Sequence, residues 1–405
     1  MNRAVTVGAV SNEPPPPLPE MAAKSKHTGL TVFLSIVLGL FGLSAVISFL
    51  DDSLLAIFAQ QNLTVIRVLI LLLMLPVGLI TYLMLAIRPG IPKRAYLPVA
   101  LFLPVSVVAV LPLLVYYHVH AAWIGWGVSA LQLLVAACIL RWLKSGSESA
   151  WSLVAASRLT EKSFSWTHFT GMILTGLLVL LPALVLYTAF SAKLAVGHFS
   201  AGFVKLTPAG ISMEVRDYIR DDGKKVTLVP MSHIADSTFY ENIAVSFPPD
   251  SLVLMEGVSD HKKLIKTASN YSKMAQSIGV VEQQKVFKPE GEVVAADIDI
   301  SDLSPETLDL LKAVMLLHSK GVTAETMPTL MKPTPPGLEK RLMVDILDKR
   351  NEHLLKVLYE RLPDSKHIIV PWGAAHMPGI SHEIENAGFR VVATHPFMAI
   401  RFAWW

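Results

Sequence analysis

Residues 367–380 read HIIVPWGAAHMPGI, and the reading of this stretch decides the fold of the second half of the chain. Ile368, Ile369 and Val370 form a short β-branched run that favours a buried strand, and Gly373 then permits a tight turn. The residues after the turn can open a helix. A strand running through such a turn into a helix is half of a βαβ unit, and the crevice beyond the strand ends is where α/β sheets bind ligands. His376 stands in that turn and is therefore a candidate site residue. A histidine that caps or packs the turn satisfies the same pattern.

The surrounding sequence repeats the theme. GISMEVRDYIRDDGKKVTLVPMSH, residues 210–233, reads as two strands joined at Asp222-Gly223, a dipeptide that accepts the positive φ of a hairpin turn. DSTFYENIAVSF, 236–247, has helical spacing with Asp236 or Ser237 placed to cap it. SLVLMEGV, 251–258, is a buried strand running into Glu256-Gly257, and FRVVATHP, 389–396, is another strand. Residues 308–317 and 338–362 carry apolar side chains at helical spacing, and a helix is expected from about Gly379 to Asn386. Strand, helix, strand in sequence predicts an α/β domain with a partly parallel sheet. Residues 280–292 show no clear period.

The first half is different. The chain has 405 residues, of which 52% are hydrophobic, and a mean hydropathy of +0.49, an excess concentrated before residue 195. Uncharged apolar runs cover Gly29–Leu50, Val68–Ile87 (after Arg67), Tyr96–Tyr117, Ala121–Leu140 and Phe169–Ala192. Each approaches the roughly 20 residues that cross a bilayer as a helix, and prolines such as Pro76, Pro104 and Pro182 are tolerated in such bundles. Five transmembrane helices are expected over 29–195. The first is an anchor rather than a cleaved leader, because a polar leader of 28 residues with a run of four prolines precedes it and no A-x-A-like site follows. Residues 1–28 read as a disordered tail.

Lysine and arginine fall in alternate connections: Arg3, Lys24 and Lys26; Arg88, Lys93 and Arg94; Arg141, Lys144, Arg158 and Lys162. Residues 51–62 and 118–120 have none. The positive-inside rule then puts the N-terminus in the cytoplasm and residues 196–405 on the extracytoplasmic side of a bacterial cell membrane. A net charge of +3, largely explained by that topology, gives no footprint for nucleic acid. Cys138, the sole cysteine, lies in the fourth run, so the exported part has neither disulfide nor thiol chemistry.

Polar residues gather where strands end: His233, Glu256, Asp297, Asp299 and His376. In a parallel sheet such ends share one edge, so these groups can converge. Glu256 is costly to bury unless paired, and a salt bridge to Arg350 is one way to pair it. Asp299 suits turn chemistry. His261, His318, His353 and His367 read as surface residues, and His382 and His395 as neighbours of His376 in sequence. No H-E-x-x-H, G-x-S-x-G or P-loop occurs. Two histidines with carboxylates from separate strands suit a metal-bound water or a histidine general base, and both lead to hydrolysis.

Taken together, MSHIADSTFYENI, LVLMEGV, ADIDISDLSPETL, DKRNEHLLKVL and IIVPWGAAHMPGISHEIENAGFRVV resemble, in order and spacing, the TraB/GumN-like family, which is similar to Tiki proteins and more distantly to erythromycin esterases. The resemblance spans about residues 210–395. It implies a TraB/GumN-type domain whose site uses His233, Glu256-Gly257, Arg350 and the G-x-x-H motif Gly373–His376. It also implies a divalent metal (Mn, Co or Zn) held by His233, Glu256 and His376, with a peptide or small-molecule substrate. The first histidine motif departs from the family pattern, having Pro230 where the family has glycine. Two functions follow: a membrane-anchored hydrolase acting on a peptide, ester or amide bond, or a membrane-bound binder that sequesters a signal molecule. Transport is the weaker expectation, since no paired charges stand inside the apolar runs apart from Arg67 near an end.

Overall fold

The computed structural model describes residues 19–60, 62–144, 153, 159–160, 162, 164–262, 279–321, 323, 326 and 337–402. The chain divides into two compact units, Met1–Ala189 and Phe190–Trp405. Of the tail expected at 1–28, residues 1–18 lie outside the described part, as do Arg158 and the side chain of His318.

The first unit is helical: α1 (Pro19–Phe58), α2 (Thr64–Ile87), α3 (Lys93–Ala109), α4 (Leu111–Tyr117), α5 (Ala121–Lys144), α6 (Trp166–Thr175) and the start of α7 (Leu181–Phe199). Helix α1 opens at Pro19, ten residues before its apolar run begins, at a position where proline's missing N–H costs nothing. Four helical stretches are long and apolar enough to cross a membrane: 29–58, 64–87, 93–143 and 166–199. Leu34, Leu38, Phe41, Leu85, Tyr96 and Leu143 form their shared core.

Hydrogen bonds tie the helices together at both ends. Tyr96 Oη donates to Leu34 O at 3.3 Å, which sets the start of α3 beside the start of the apolar run of α1, and His168 Nε2 meets Leu85 O at 3.0 Å, which sets the start of α6 beside the end of α2. At the far end Leu63 N donates to Asp51 Oδ1 at 3.2 Å, and Tyr187 Oη to Ala109 O at 3.4 Å. Gln132 Nε2 donates to Ser44 Oγ at 3.3 Å and Trp126 Nε1 to Ser53 Oγ at 3.1 Å, so α5 runs antiparallel to α1.

One expectation is corrected here. Asp51 and Asp52, read as part of a connecting loop, lie within α1 and are buried, and both pair with Arg67 of α2. Paired charges do stand inside the helical unit. The guanidinium and the backbone N–H groups at the start of α2 make that burial possible.

The second unit is an α/β sheet domain. Its strands are β1 (Val204–Thr207), β2 (Gly210–Ile219), β3 (Lys225–Met231), β4 (Ile234–Ala235), β5 (Leu252–Met255), β6 (Val281–Glu282), β7 (Glu292–Ala295), β8 (His367–Gly373) and β9 (Arg390–Arg401). Its helices of six or more residues, among the described ones, are α8 (Ser237–Val245), α9 (Pro305–Lys320), α10 (Leu338–Met343), α11 (Lys349–Arg361) and α12 (Met377–Asn386). The seven-stranded sheet runs β1-β2-β3-β8-β5-β7, with β9 also on β2. Strands β3, β8, β5 and β7 are mutually parallel, and β1, β2 and β9 are antiparallel.

The period of two along β8 covers both faces of the sheet. Ile368, Val370 and Trp372 pack under α11 and α12 with Leu354, Leu358, Met377 and Ile380. Ile369 packs on the opposite face with Val229, Val253, Phe239, Tyr240 and Ile243, the last three from α8. The hairpin at Asp222-Gly223 forms as expected, with Gly223 at φ +82°. Asp236 precedes α8 but does not cap it with its side chain; its carboxylate accepts from Arg401 at 3.1 Å instead. The long helix expected at 338–362 contains a π-turn at Val344–Asp348, which ends two residues before Arg350.

Candidate functional site

Three parallel strands deliver the site to one edge of the sheet. Strand β8 ends at Gly373, β5 at Met255 and β7 at Ala295, which places His376, Glu256 and Asp297 just beyond neighbouring strand ends. Helix α11 brings Arg350 over them, next to the π-turn, a distortion frequent at functional sites.

Arg350 is the hub. Its Nε donates to Asp297 Oδ1 at 3.0 Å and its Nη2 to Asp297 Oδ2 at 2.7 Å, a bidentate pair on a carboxylate that is 0% exposed. Nη2 also donates to Glu256 Oε1 at 2.7 Å, and Nη1 faces His376 Nε2 at 3.3 Å. Burial acts to lower the proton affinity of the guanidinium, but Asp297 and Glu256 outweigh it and raise its pKa above the ordinary value. Glu256 Oε2 accepts the Gly373 backbone N–H at 2.5 Å, so the E-G motif and the G-x-x-H motif are joined directly.

His376 is 3% exposed, and Trp372 meets its ring edge to face at 5.1 Å. An arginine can only donate, so Nε2 must accept, and the neutral ring carries its proton on Nδ1. Nδ1 lies 2.8 Å from Asn351 Oδ1, the acceptor that this tautomer requires. Burial and then the Arg350 charge push the imidazole down to about 4, so it is neutral near pH 7. Gly379 makes the Asn351 contact possible: a Cβ there would lie 2.7 Å from Asn351 Nδ2.

The structure thus brings Glu256, Arg350 and His376 together, and the pairing of Glu256 with Arg350 is the salt bridge weighed from the sequence. His233 is exposed, just past β3, and near enough that its charge acts on His376. Pro230 lies beyond Leu228, the last residue of β3 that pairs with β2, so its missing N–H falls where that ladder has ended. Asp299 is a turn residue: it accepts from Ser301 N at 2.9 Å and from Ser259 Oγ at 2.9 Å. His367 is half-buried rather than on the surface, its Nε2 2.8 Å from Thr227 Oγ1, and burial lowers its pKa. His395 is exposed beside Asp217 on β2, apart from the cluster. Sequence reasoning missed Asn351, whose signal was its place next to Arg350.

The donor set does not fit the divalent ion implied by the resemblance. Both Glu256 oxygens accept from nitrogen donors, and His376 Nε2 faces a guanidinium. Among the described residues no group of three or more His, Cys, Asp and Glu side chains is placed to hold a metal ion. In this arrangement the buried cation of the site is Arg350. Comparisons with protein families, with curated proteins and with solved structures find no match for this chain.

Proposed function

We propose that the chain is a membrane-anchored hydrolase whose site is the His376–Arg350–Glu256 cluster. The observation that carries this reading is a neutral, buried imidazole with Nδ1 fixed by Asn351 and Nε2 turned into a charged cluster at the strand ends. A substrate carbonyl oxygen or carboxylate that engages Arg350 Nη1 frees Nε2 to accept a proton from water, whose oxygen then adds to the carbonyl carbon. Glu256 Oε1, 3.7 Å from Nε2, stabilises the imidazolium so formed, which returns the proton to the leaving group. No step is routed through a metal. The resemblance to the TraB/GumN-like family supports the same class of reaction.

The membrane reading extends to five crossings with residues 196–405 outside the cytoplasm. Helical residues 93–143 would span about 75 Å if straight, more than twice a hydrocarbon core of about 30 Å. The antiparallel pairing of α5 with α1 supports separate crossings for α3 and α5, and the gathering of helix starts and ends supports the alternation. Arg67, at the end assigned outside, is neutralised by Asp51 and Asp52 and does not count against that orientation.

One observation favours the second reading, a binder: the cluster is already closed by its own hydrogen bonds. Purified full-length protein assayed with p-nitrophenyl acetate and fluorescent casein, with EDTA and with added Mn, Co or Zn, separates the readings. Turnover that survives EDTA and is lost in His376→Ala supports the hydrolase as argued. Turnover only with added metal overturns the metal-free step, and no turnover of either probe favours the binder.

A further inference from the structure

The helical unit contains a second charged site that the hydrolase reading does not use. Asp51 and Asp52 on α1 are 4% and 3% exposed, and Arg67 is the charged side chain facing them from α2. Asp51 is largely committed to structure, since it accepts from Leu63 N at 3.2 Å and from Thr64 Oγ1 at 3.3 Å at the start of α2. Asp52 is different. Its Oδ1 pairs with Arg67, but its Oδ2 is buried and has no hydrogen-bond partner among the described residues.

Among the described residues two carboxylates face one guanidinium, an excess of one formal negative charge, and the buried oxygen of the pair left without a partner is Asp52 Oδ2. The wall opposite is the backbone of α5: a Cβ on Gly125 would come within 3.2 Å of Asp52 Oδ1 and 3.7 Å of Oδ2. From α5 the other facing groups are neutral, namely Trp126, whose Nε1 donates to Ser53, with Ser129 and Gln132 one and two turns on. Arg141 is near the opposite end of that helix. On α1, Ser48 and Ser44 follow Asp52 at intervals of four, both buried, and Ser44 with Gln132 borders a cavity of about 410 Å³ that is otherwise mostly apolar. Polar side chains therefore continue inward from the acid pair along the α1–α5 seam.

We propose that Asp52, with Asp51 and Arg67 beside it, forms a site for one small monovalent cation, a proton or an alkali-metal ion, inside the helical unit. One positive charge balances the cluster, and Asp52 Oδ2 is the acceptor left to receive it. The glycine at 125 keeps the carboxylate from being covered by a side chain.

The test uses the full chain in lipid nanodiscs and distinguishes the two cations. Replacing choline chloride by sodium chloride at fixed pH and ionic strength reads the alkali-metal arm as a saturable rise in unfolding temperature. Infrared spectra recorded in choline chloride read the proton arm as the C=O stretch of a protonated carboxyl. Wild type is expected to show one of the two responses, and Asp52→Asn neither. If Asp52→Asn does not fold, Gly125→Ala is used instead: its methyl crowds the carboxylate and is expected to weaken the wild-type response by about tenfold in half-saturating concentration. Wild type responding in neither arm overturns the site, as does a response unchanged in Asp52→Asn or in Gly125→Ala.

Discussion

Arg350 and Asp297 meet through two parallel hydrogen bonds, at 3.0 and 2.7 Å, on a carboxylate fully withdrawn from solvent. Glu256, by contrast, shares only Nη2 of the same guanidinium and retains 13% exposure. The two acids therefore do different work. Asp297 anchors the arginine, and Glu256 stands between it and the histidine.

Asp297→Ala is accordingly expected to cost about 3–5 kcal/mol of stability, since it leaves a buried guanidinium with half its partners gone. Glu256→Gln keeps an acceptor for Arg350 and is expected to cost less, while removing the charge that stabilises a protonated His376. Denaturant unfolding of the two variants, followed by tryptophan fluorescence, checks the order. Equal losses would show that the acids share the anchoring.

The unit from Phe190 onward has its own core on both faces of the sheet, built from Leu354, Trp372 and Ile380 on one side and Val253, Phe239 and Ile243 on the other. Expressed from about residue 200, it is expected to be soluble and to melt in one cooperative transition. Aggregation, or a broad transition without an enthalpy peak in calorimetry, would show that the helical unit is needed for folding.

Much of this was legible because local pattern and global fold agree. The run Ile368–Val370 with Gly373 gave a strand and turn, and the same logic at Glu256 and Asp297 placed three acceptors at parallel strand ends. What the sequence hid were contacts made across distance. Asn351 was invisible as a partner of His376 because the two meet only when α11 lies over α12. Asp51 and Asp52 looked like a loop because helical propensity is weak for aspartate, and the tertiary pairing with Arg67 that holds them in α1 has no local signature. The bounds of β7 had no signal of their own, because its residues are mostly exposed and what makes them a strand is the parallel pairing with β5.

The topology is tested by a reporter that fluoresces only in the cytoplasm, fused after residue 405. Five crossings with the N-terminus inside predict no signal in a bacterial host, and the same reporter placed in the 88–94 connection predicts a bright one. A bright C-terminal fusion would mean that the number of crossings or the orientation is wrong.

The pH dependence of stability follows from His376. Its folded value, about 4, lies below the ordinary 6.5 because burial and Arg350 disfavour the charged ring. The unfolded chain therefore takes up a proton near pH 6.5 while the native state resists until about 4. Stability from this group is full above pH 6.5 and is lost as pH falls through that window, by on the order of 3 kcal/mol at its lower end. His376→Gln removes the ring and should flatten the difference between pH 6.5 and pH 4 in denaturant unfolding. An unchanged slope would assign the acid sensitivity to other groups.

Residues 367–380 contain a second glycine, Gly379, and its role is steric. Gly379 sits in the first turn of α12, where alanine would ordinarily favour the helix by about 1 kcal/mol. Here a Cβ would lie 2.7 Å from Asn351 Nδ2, closer than side-chain carbons approach, so Asn351 must turn away and release Nδ1 of His376. Gly379→Ala is therefore expected to lower stability by about 1–3 kcal/mol, the reverse of its helix propensity. It should also change the Nδ1–H signal of His376 in nitrogen-edited NMR of the second unit, if that unit folds alone. Asn351→Ala should change the same signal, because both act on one hydrogen bond. A stabilised Gly379→Ala with the His376 signal intact would show that the Asn351 contact does not hold the tautomer.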